Sequence, residues 1–168
     1  MSPDDAIEMA DLKRLLATAR LVTLTGIGGT GKTRLALQAA AALVDDFADG
    51  AWFVDLAPIV DPALVAQAAA SAMGVAEQPG RTLAATLAEH LRGKRALVVL
   101  DNCEHVIEAA AALAAELVRS TADVRVLATS REALGVAGEA NYAVSTLSVP
   151  EVGAAVATAA DLQALTQY

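Results

Sequence analysis

The sequence predicts an α/β fold in three layers, with a parallel five-stranded sheet between two layers of helices. Short apolar and β-branched segments alternate along the 168 residues with longer segments of helical periodicity. The connections between these segments are short, which favours strand–helix–strand units with parallel strands and helices on both faces. Hydrophobic residues make up 55% of the chain and aromatic residues only 3%, so Ala, Val and Leu must fill the core.

The first half of the chain contains two predicted strands. In chain order, we expect a helix at 4–19, a strand at 20–25, a helix at 33–46, a strand at 51–56 and a helix at 62–73. Apolar residues recur at helical spacing in the first of these segments. The segment RLVTLT is short and β-branched, which is typical of a strand buried on both faces. Asp61 followed by Pro62 is a typical helix start.

The second half contains three further predicted strands. The pattern predicts a helix at 82–91, a strand at 96–100, a helix at 104–120, a strand at 124–128 and a fifth strand at 142–147. Thr82 is a candidate cap for the helix that begins there. The segments ALVVL and VRVLA are short and mostly apolar, as the buried strands of a parallel sheet are.

Composition and charge exclude several classes of protein. No apolar stretch is long enough to span a bilayer, and the acidic N-terminal segment lacks the apolar core of an export signal. The formal net charge is -8, which argues against direct contact between this segment and nucleic acid. A single cysteine, Cys103, allows no internal disulfide and suits a reducing compartment. We therefore expect a cytoplasmic location and no contact with a membrane.

A glycine-rich stretch separates the first strand from the second helix. Residues 26–33 read GIGGTGKT and match G-x-x-x-x-G-K-[ST] between a strand and a helix. Glycines allow backbone N–H groups to surround a phosphate, and the helix N-terminus adds partial positive charge. Lys32 would contact the β- and γ-phosphates and Thr33 would bind Mg²⁺. A glycine turn that only lets strand and helix pack is the alternative, but such a turn does not require the Lys-Thr pair.

The whole stretch is therefore the predicted phosphate-binding segment, extended by one residue into the helix. Its members are Gly26, Ile27, Gly28, Gly29, Thr30, Gly31, Lys32, Thr33 and Arg34.

A nucleotide site of this kind also needs a carboxylate that binds Mg²⁺, and a candidate follows the strand ALVVL. Asp101 comes directly after this segment, at the edge of the sheet where ligands collect in open α/β folds. The alternative is an aspartate that caps the helix beginning near Glu104. Spacing alone leaves both open, and the phosphate-binding segment upstream favours Mg²⁺ coordination by Asp101 together with Thr33.

Hydrolysis of a nucleotide also needs a group that positions or deprotonates water. The residue after Asp101 is Asn102, which has no carboxylate for this purpose. Glu104 is the nearest carboxylate and the candidate catalytic residue, with a place in the first turn of a helix as the alternative.

The fourth predicted strand is followed by an arginine in the string ATSRE. Arg131 would lie at the carboxyl edge of the sheet, where a guanidinium group can contact a γ-phosphate and report its presence. The alternative is a surface arginine paired with Glu132 or Asp101. The geometry of guanidinium with phosphate favours the first interpretation.

With these motifs placed, the chain resembles the nucleotide-binding domain of signal-transduction ATPases with numerous domains (STAND), in the NB-ARC or apoptotic-ATPase branch. It is most similar to that domain in large bacterial LuxR-type transcriptional regulators. The resemblance covers about residues 12–150 and rests on RLVTLTGIGGTGKTRLALQAA, WFVDLAPIVDPALVAQAAASAMGV, LAEHLRGKRALVVLDNCEH and VRVLATSREALGVAGE.

This resemblance implies a P-loop NTPase fold with strand order 5-1-4-3-2 and ATP or ADP bound with Mg²⁺. It further implies slow turnover and use of the nucleotide as a conformational switch. By the same resemblance, Gly26 to Thr33 would surround the phosphates, Thr33 and Asp101 would hold the metal, and Arg131 would act as the sensor.

The sequence departs from that family at three places. Relatives begin with an apolar-Gly-Arg-x-x-Glu stretch near the adenosine, where this chain has Pro3, Asp4 and Asp5. Asn102 replaces a second acidic residue. The sequence stops at Tyr168, before the family's helical and winged-helix parts. We expect residues 1–19 to form a helical lead-in, 20–150 the nucleotide-binding domain, and 151–168 a linker towards the helical, winged-helix and effector domains of a larger regulator.

Two functions from different classes are compatible with these residues. The first is an ATP/ADP-binding switch module with slow, Mg²⁺-dependent ATP hydrolysis and an oligomeric state that could depend on nucleotide. The second is a degenerate module that hydrolyses nothing and serves interaction or oligomerisation. A small-molecule kinase would need an arginine-rich lid, and GTP selectivity would need an Asn-Lys-x-Asp motif; the chain has neither.

Overall fold

Five parallel strands form one sheet, and α-helices cover both of its faces. The computed structural model describes residues 3–28 and 31–144, with side chains from residue 8 onward. The strands are β1 (Leu21–Thr25), β2 (Ala51–Asp55), β3 (Leu97–Asp101), β4 (Arg125–Ser130) and β5 (Glu139–Ala143). The helices are α1 (Pro3–Thr18), α2 (Lys32–Leu43), α3 (Val65–Met73), α4 (Leu83–Leu91) and α5 (Ile107–Ser120).

The order of strands across the sheet is β2-β3-β4-β1-β5. This is the predicted order 5-1-4-3-2 counted from the other edge, so the predicted fold class is confirmed. Because β4 lies between β1 and β3, the carboxyl ends of these three strands are neighbours. In the register, Thr25 is opposite Ser130 and Leu100 is opposite Ala128. Groups at the ends of the three strands therefore meet at one edge of the sheet.

The core consists of two apolar clusters, one on each face of the sheet. On one face α3, α4 and α5 pack over the sheet, and on the other face α1 and α2 do so. The side chains of β3 alternate between the clusters: Val98 and Leu100 face one, and Leu97 and Val99 face the other. A strand buried on both faces is mostly apolar along its length, which explains the continuous run LVVL.

Local signals at the helix ends act as predicted from the sequence. The Asp61 carboxylate accepts a hydrogen bond from the Ala63 amide at 3.0 Å, and the Thr82 hydroxyl accepts one from the Ala85 amide at 3.1 Å. Three of the predicted helices contain a short 3₁₀ turn next to the α-helix. These turns are Val44–Asp46, Pro62–Leu64 and Glu104–Val106.

The fifth strand was predicted three residues too late. It begins at Glu139 and ends at Ala143, whereas residues 142–147 were expected, of which 145–147 lie outside the described residues. The strand pairs with β1 at the edge of the sheet. Its Glu139 and Asn141 are polar residues of low strand propensity, so the apolar pattern that revealed the other strands is absent there.

The N-terminal helix belongs to the same core as the sheet. Leu12 and Leu16 are buried in the cluster that α1 shares with α2. The expected linker at 151–168 lies outside the described residues, and the proposed division into lead-in, domain and linker remains a prediction. In the described part of the chain, no helix has both the length and the apolar character needed to cross a bilayer.

Candidate functional site

The glycine-rich segment connects the end of β1 to the start of α2 at the carboxyl edge of the sheet. Gly31 precedes α2 with φ 86° and ψ 20°, a left-handed conformation that a side chain disfavours. Among the described residues, and apart from its chain neighbours, no heavy atom lies within 4 Å of the point where a Cβ of Gly31 would be. This position therefore requires glycine for its backbone angle rather than for space. Gly29 and Thr30 lie outside the described residues.

Lys32 is the first residue of α2, and its side chain turns back onto the glycine-rich segment. Its Nζ donates to the carbonyl oxygens of Gly26 at 2.6 Å and Ile27 at 3.0 Å. Lys32 is only 8% exposed, and this burial lowers the pKa of its ammonium group. The positive charge of Arg131 lowers this pKa further, while Glu104 and Asp101 raise it. An anion bound at the glycine-rich segment would relieve the repulsion between the Lys32 and Arg131 side chains.

Thr33 and Asp101 are 68 residues apart in sequence and meet at this edge of the sheet. The Thr33 hydroxyl lies 2.9 Å from Oδ1 and 3.0 Å from Oδ2 of Asp101. Asp101 is the last residue of β3 and is 2% exposed. A hydroxyl and a carboxylate are hard oxygen donors, the set that Mg²⁺ accepts together with phosphate and water. The residues present thus fit a magnesium–phosphate site.

The other interpretation of Asp101, as a helix cap, is not what the structure contains. The residue before the turn Glu104–Val106 is Cys103, and no side chain caps that turn. The Asp101 carboxylate instead accepts hydrogen bonds from the Thr129 hydroxyl at 2.6 Å and from the Asn102 side-chain amide at 2.9 Å.

Thr129 has a structural role that the sequence did not reveal. It lies in β4, is fully buried, and donates to Asp101 while accepting a hydrogen bond from the Asn102 backbone amide at 2.9 Å. Asn102 adopts φ 64°, a left-handed conformation that asparagine tolerates better than most residues. The side-chain amide of Asn102 and the hydroxyl of Thr129 both donate to the Asp101 carboxylate and together orient it. The sequence placed Thr129 near the strand end but contained no sign of this contact.

Burial raises the pKa of the Asp101 carboxyl above its usual range. Hydrogen bonds from Thr129 and Thr33 act in the opposite direction, and the nearby carboxylates of Asp55 and Glu104 raise this pKa further. A divalent cation would offset the mutual repulsion of the Asp101, Asp55 and Glu104 carboxylates. The electrostatics therefore agree with the donor set in favouring a metal beside Asp101.

Glu104 begins the turn just after Asn102 and Cys103 and is half-buried. Its charge raises the pKa values of both Lys32 and Asp101, so it lies within electrostatic range of the two groups. The structure thus brings this candidate to the same edge of the sheet as the metal-binding pair, and its catalytic role remains a prediction.

Arg131 follows β4 directly and approaches the glycine-rich segment. A methyl group placed on Gly28 would lie 3.3 Å from Nη2 of Arg131, so the guanidinium group is packed close to the Gly28 backbone. Among the ion pairs of the described residues, none joins Arg131 to Glu132 or Asp101. Arg34, also predicted to contact the ligand, lies in the first turn of α2 and is half-buried.

The fold and these groups define the class of protein. A glycine-rich segment with Lys32 and Thr33 lies between β1 and α2, and an aspartate ends the strand two places away in the sheet. This arrangement is that of a P-loop NTPase, a fold that implies nucleotide binding. The chain belongs to the AAA domain family, which matches residues 14–137.

Relatives in sequence are longer proteins. The chain is 48% identical over 140 residues to the "Putative HTH-type transcriptional regulator" of Mycobacterium tuberculosis H37Rv, covering 83% of this chain and 16% of that protein. It is 44% identical over 142 residues to a protein of the same organism named "Uncharacterized protein", of which it covers 36%. The chain therefore spans less than two-fifths of the length of either relative.

Solved structures share the fold at low sequence identity. Cdc6p from Pyrobaculum aerophilum matches with a TM-score of 0.62 and 18% identity, over 96% of this chain and 50% of that one. A STAND protein with a tetratricopeptide repeat sensor from Pyrococcus horikoshii matches with a TM-score of 0.58 and 17% identity, over 80% of this chain and 22% of that one. Both likenesses support the P-loop NTPase fold.

Proposed function

We propose that this chain is the ATP/ADP-binding module of a larger, cytoplasmic, signal-responsive transcriptional regulator. The bound nucleotide would act as the switch, and its Mg²⁺-dependent hydrolysis would be slow. The observation that carries the proposal is the contact of Thr33 with Asp101 beside the glycine-rich segment. The 48% identity to a protein named as a transcriptional regulator, of which this chain covers 16%, supports a place in a longer regulator.

Each side chain has a defined part in this proposal. The backbone amides of Gly26 to Thr33 would bind the phosphates, and Lys32 would leave the carbonyls of Gly26 and Ile27 to neutralise them. Thr33 and Asp101 would hold Mg²⁺, which shields the phosphate charge when bound. Arg131 would contact the γ-phosphate from its place beside Gly28.

Slow hydrolysis is the expectation because of the groups around the metal-binding aspartate. The Asn102 amide is hydrogen-bonded to Asp101 and cannot accept a proton from water. Glu104 is the proposed base, and in this structure its charge acts on Lys32 and Asp101 together. The placement in the NB-ARC branch and among LuxR-type regulators is likewise a proposal, since it rests on the motifs LDNCEH and ATSRE.

A degenerate interaction module is the second candidate, and Asn102 is the observation that favours it. The adenosine side of the site does not discriminate between the two functions, because the structure does not describe the side chains of Pro3, Asp4 and Asp5. Nucleotide binding discriminates the two candidates directly.

The deciding experiment is a thermal-shift titration with ATP, ADP and GTP, with and without Mg²⁺. A nucleotide at about one hundred times its dissociation constant adds roughly 2.7 kcal/mol to the free energy of unfolding, which such a titration detects easily. We expect Mg²⁺-dependent stabilisation by ATP and ADP and none by GTP. Lys32→Ala should abolish it, while Lys13→Ala, the same change on the exposed face of α1, should leave it intact. Stabilisation by none of the nucleotides would contradict the switch and leave the interaction module.

A further inference from the structure

The connection from β4 to β5 differs from the other crossovers of this fold because it contains no helix. It consists of residues 131–138 and begins with Arg131 at the carboxyl edge of the sheet. From there it passes over β1 to the amino-terminal edge, where β5 begins. A crossover between parallel strands is usually longer and helical, and the helix satisfies its own backbone amides. The amides of this crossover need other acceptors.

Glu139, the first residue of β5, supplies acceptors for two of them, the amides of Leu134 and Gly135. Its Oε2 accepts a hydrogen bond from the Leu134 amide at 2.9 Å, and its Oε1 accepts one from the Gly135 amide at 3.0 Å. The Thr23 hydroxyl of β1 donates to the same carboxylate at 2.5 Å. Thr23 is fully buried, so the carboxylate is fixed to the interior of the sheet.

These contacts restrict the backbone on both sides of Arg131. Ser130 is held in the sheet opposite Thr25, and Leu134 is buried and held by Glu139. Only three residues, 131–133, lie between these two fixed points. A segment this short between fixed ends has few conformations, so the place of the Arg131 backbone depends on the anchor at Leu134.

We propose that Glu139 is a positioning residue for Arg131, because its carboxylate ties the middle of the crossover to β1 and thereby keeps the guanidinium group beside Gly28. The proposal rests on the function proposed above, in which Arg131 contacts the γ-phosphate. Glu139 itself does not touch the nucleotide. Its removal should therefore change how ATP is distinguished from ADP more than it changes binding of the phosphates common to both.

The test compares the dissociation constants of ATP and ADP by calorimetry for the wild type, Arg131→Ala, Glu139→Ala and the double variant. A charge-assisted hydrogen bond to phosphate corresponds to about a tenfold or larger effect, so Arg131→Ala should weaken ATP relative to ADP by that factor. Glu139→Ala should shift the ratio in the same direction. The double variant should shift it no further than Arg131→Ala alone, because one residue acts through the other.

Two further variants separate positioning from a general loss of stability. Glu132→Ala removes an exposed carboxylate from the same crossover and should leave the ratio unchanged. Thr23→Val removes only the hydroxyl that holds Glu139 and should give a smaller shift in the same direction as Glu139→Ala. An altered melting temperature with an unchanged ATP-to-ADP ratio in both Glu139→Ala and Thr23→Val would overturn the proposal.

A measurement without nucleotide tests the positioning role of Glu139 separately from the proposed nucleotide switch. Arg131→Ala should move the amide resonance of Gly28 in an NMR spectrum, because the guanidinium group lies against that backbone. Glu139→Ala should move the same resonance in the same direction. If Gly28 responds to Arg131→Ala alone, Glu139 does not position the arginine, whether or not the protein binds nucleotide. If the wild type binds neither ATP nor ADP, the switch function fails while the resonance still decides the role of Glu139.

Discussion

Asp101 shows how the residue proposed to bind Mg²⁺ can lower the stability of the ligand-free protein. Its carboxylate is buried, near two other carboxylates, and held by hydroxyls of Thr33 and Thr129. Because burial raises its pKa, the folded state binds a proton at this group more tightly than the unfolded state does. The group therefore favours folding at low pH and disfavours it as the pH rises through the raised pKa.

Replacement of this carboxylate by the neutral amide should stabilise the protein in the absence of ligand. We expect Asp101→Asn to melt at a higher temperature than the wild type at pH 7, with a difference that shrinks as the pH is lowered, because the wild-type group then takes up its proton. The same variant should lose the Mg²⁺ dependence of nucleotide binding. Melting curves of both proteins between pH 4 and pH 8 measure the first effect; a variant that is less stable at every pH would contradict it.

At the scale of elements, the site is the meeting point of three strand ends and one helix start. β1 leads into the glycine-rich segment, β3 ends in Asp101, and β4 supplies Thr129 and precedes Arg131. Helix α2 begins at Lys32, directly after the left-handed Gly31. The geometry of the site thus depends on one backbone conformation at the junction of segment and helix.

Gly31→Ala should cost stability and binding together, whereas a matched glycine elsewhere should cost stability alone. A side chain in the left-handed region costs about 1–2 kcal/mol, and Gly31 and Gly74 both adopt it with open space around them. Gly74 follows α3, far in sequence from the glycine-rich segment. We expect Gly74→Ala to lower the free energy of unfolding in urea by this amount and to leave nucleotide binding unchanged. Equal binding by the two variants would show that the Gly31 conformation is dispensable for the ligand.

The elements also show which parts of the site a sequence can reveal. The place of segment 26–33 between β1 and α2 was predictable because its motif is contiguous in sequence. The place of Asp101 at the edge of the sheet was predictable because it directly follows an apolar run. The contact between Thr129 and Asp101 joins residues 28 apart through neighbouring strands, and that between Thr23 and Glu139 joins residues 116 apart. Neither contact leaves a pattern in the local sequence from which it could be predicted. The start of β5 was missed for a related reason, since Glu139 serves the crossover rather than the core.

For the whole molecule, the order of strands determines where a bound ligand would have its effect. The central strands β1, β4 and β3 end at the site, whereas β2 and β5 form the edges. The resemblance to a known family supplied this order correctly, because apolar strands alone do not specify their neighbours. A ligand that joins the ends of the central strands would stabilise the middle of the sheet.

Hydrogen exchange should reveal this distribution. We expect Mg²⁺ and ATP to slow amide exchange most at residues 26–28, 31–34 and 101–103, and least along β2, because protection is greatest at the groups that the ligand orders. Lys32→Ala with the same ligands is the control and should give no protection. Uniform slowing over all five strands would instead indicate that only global unfolding is affected.

The position at which β5 ends matters for any group attached beyond it. The Val144 amide donates to the Thr25 carbonyl at 2.8 Å, so the described chain ends beside the residue that directly precedes the glycine-rich segment. A group tethered by a short flexible linker has a millimolar effective concentration near its attachment point. If the proposed regulator carries a domain beyond Val144, that domain would need only a weak intrinsic affinity for the occupied site in order to respond to it, and the length of the connection would set the strength of the response.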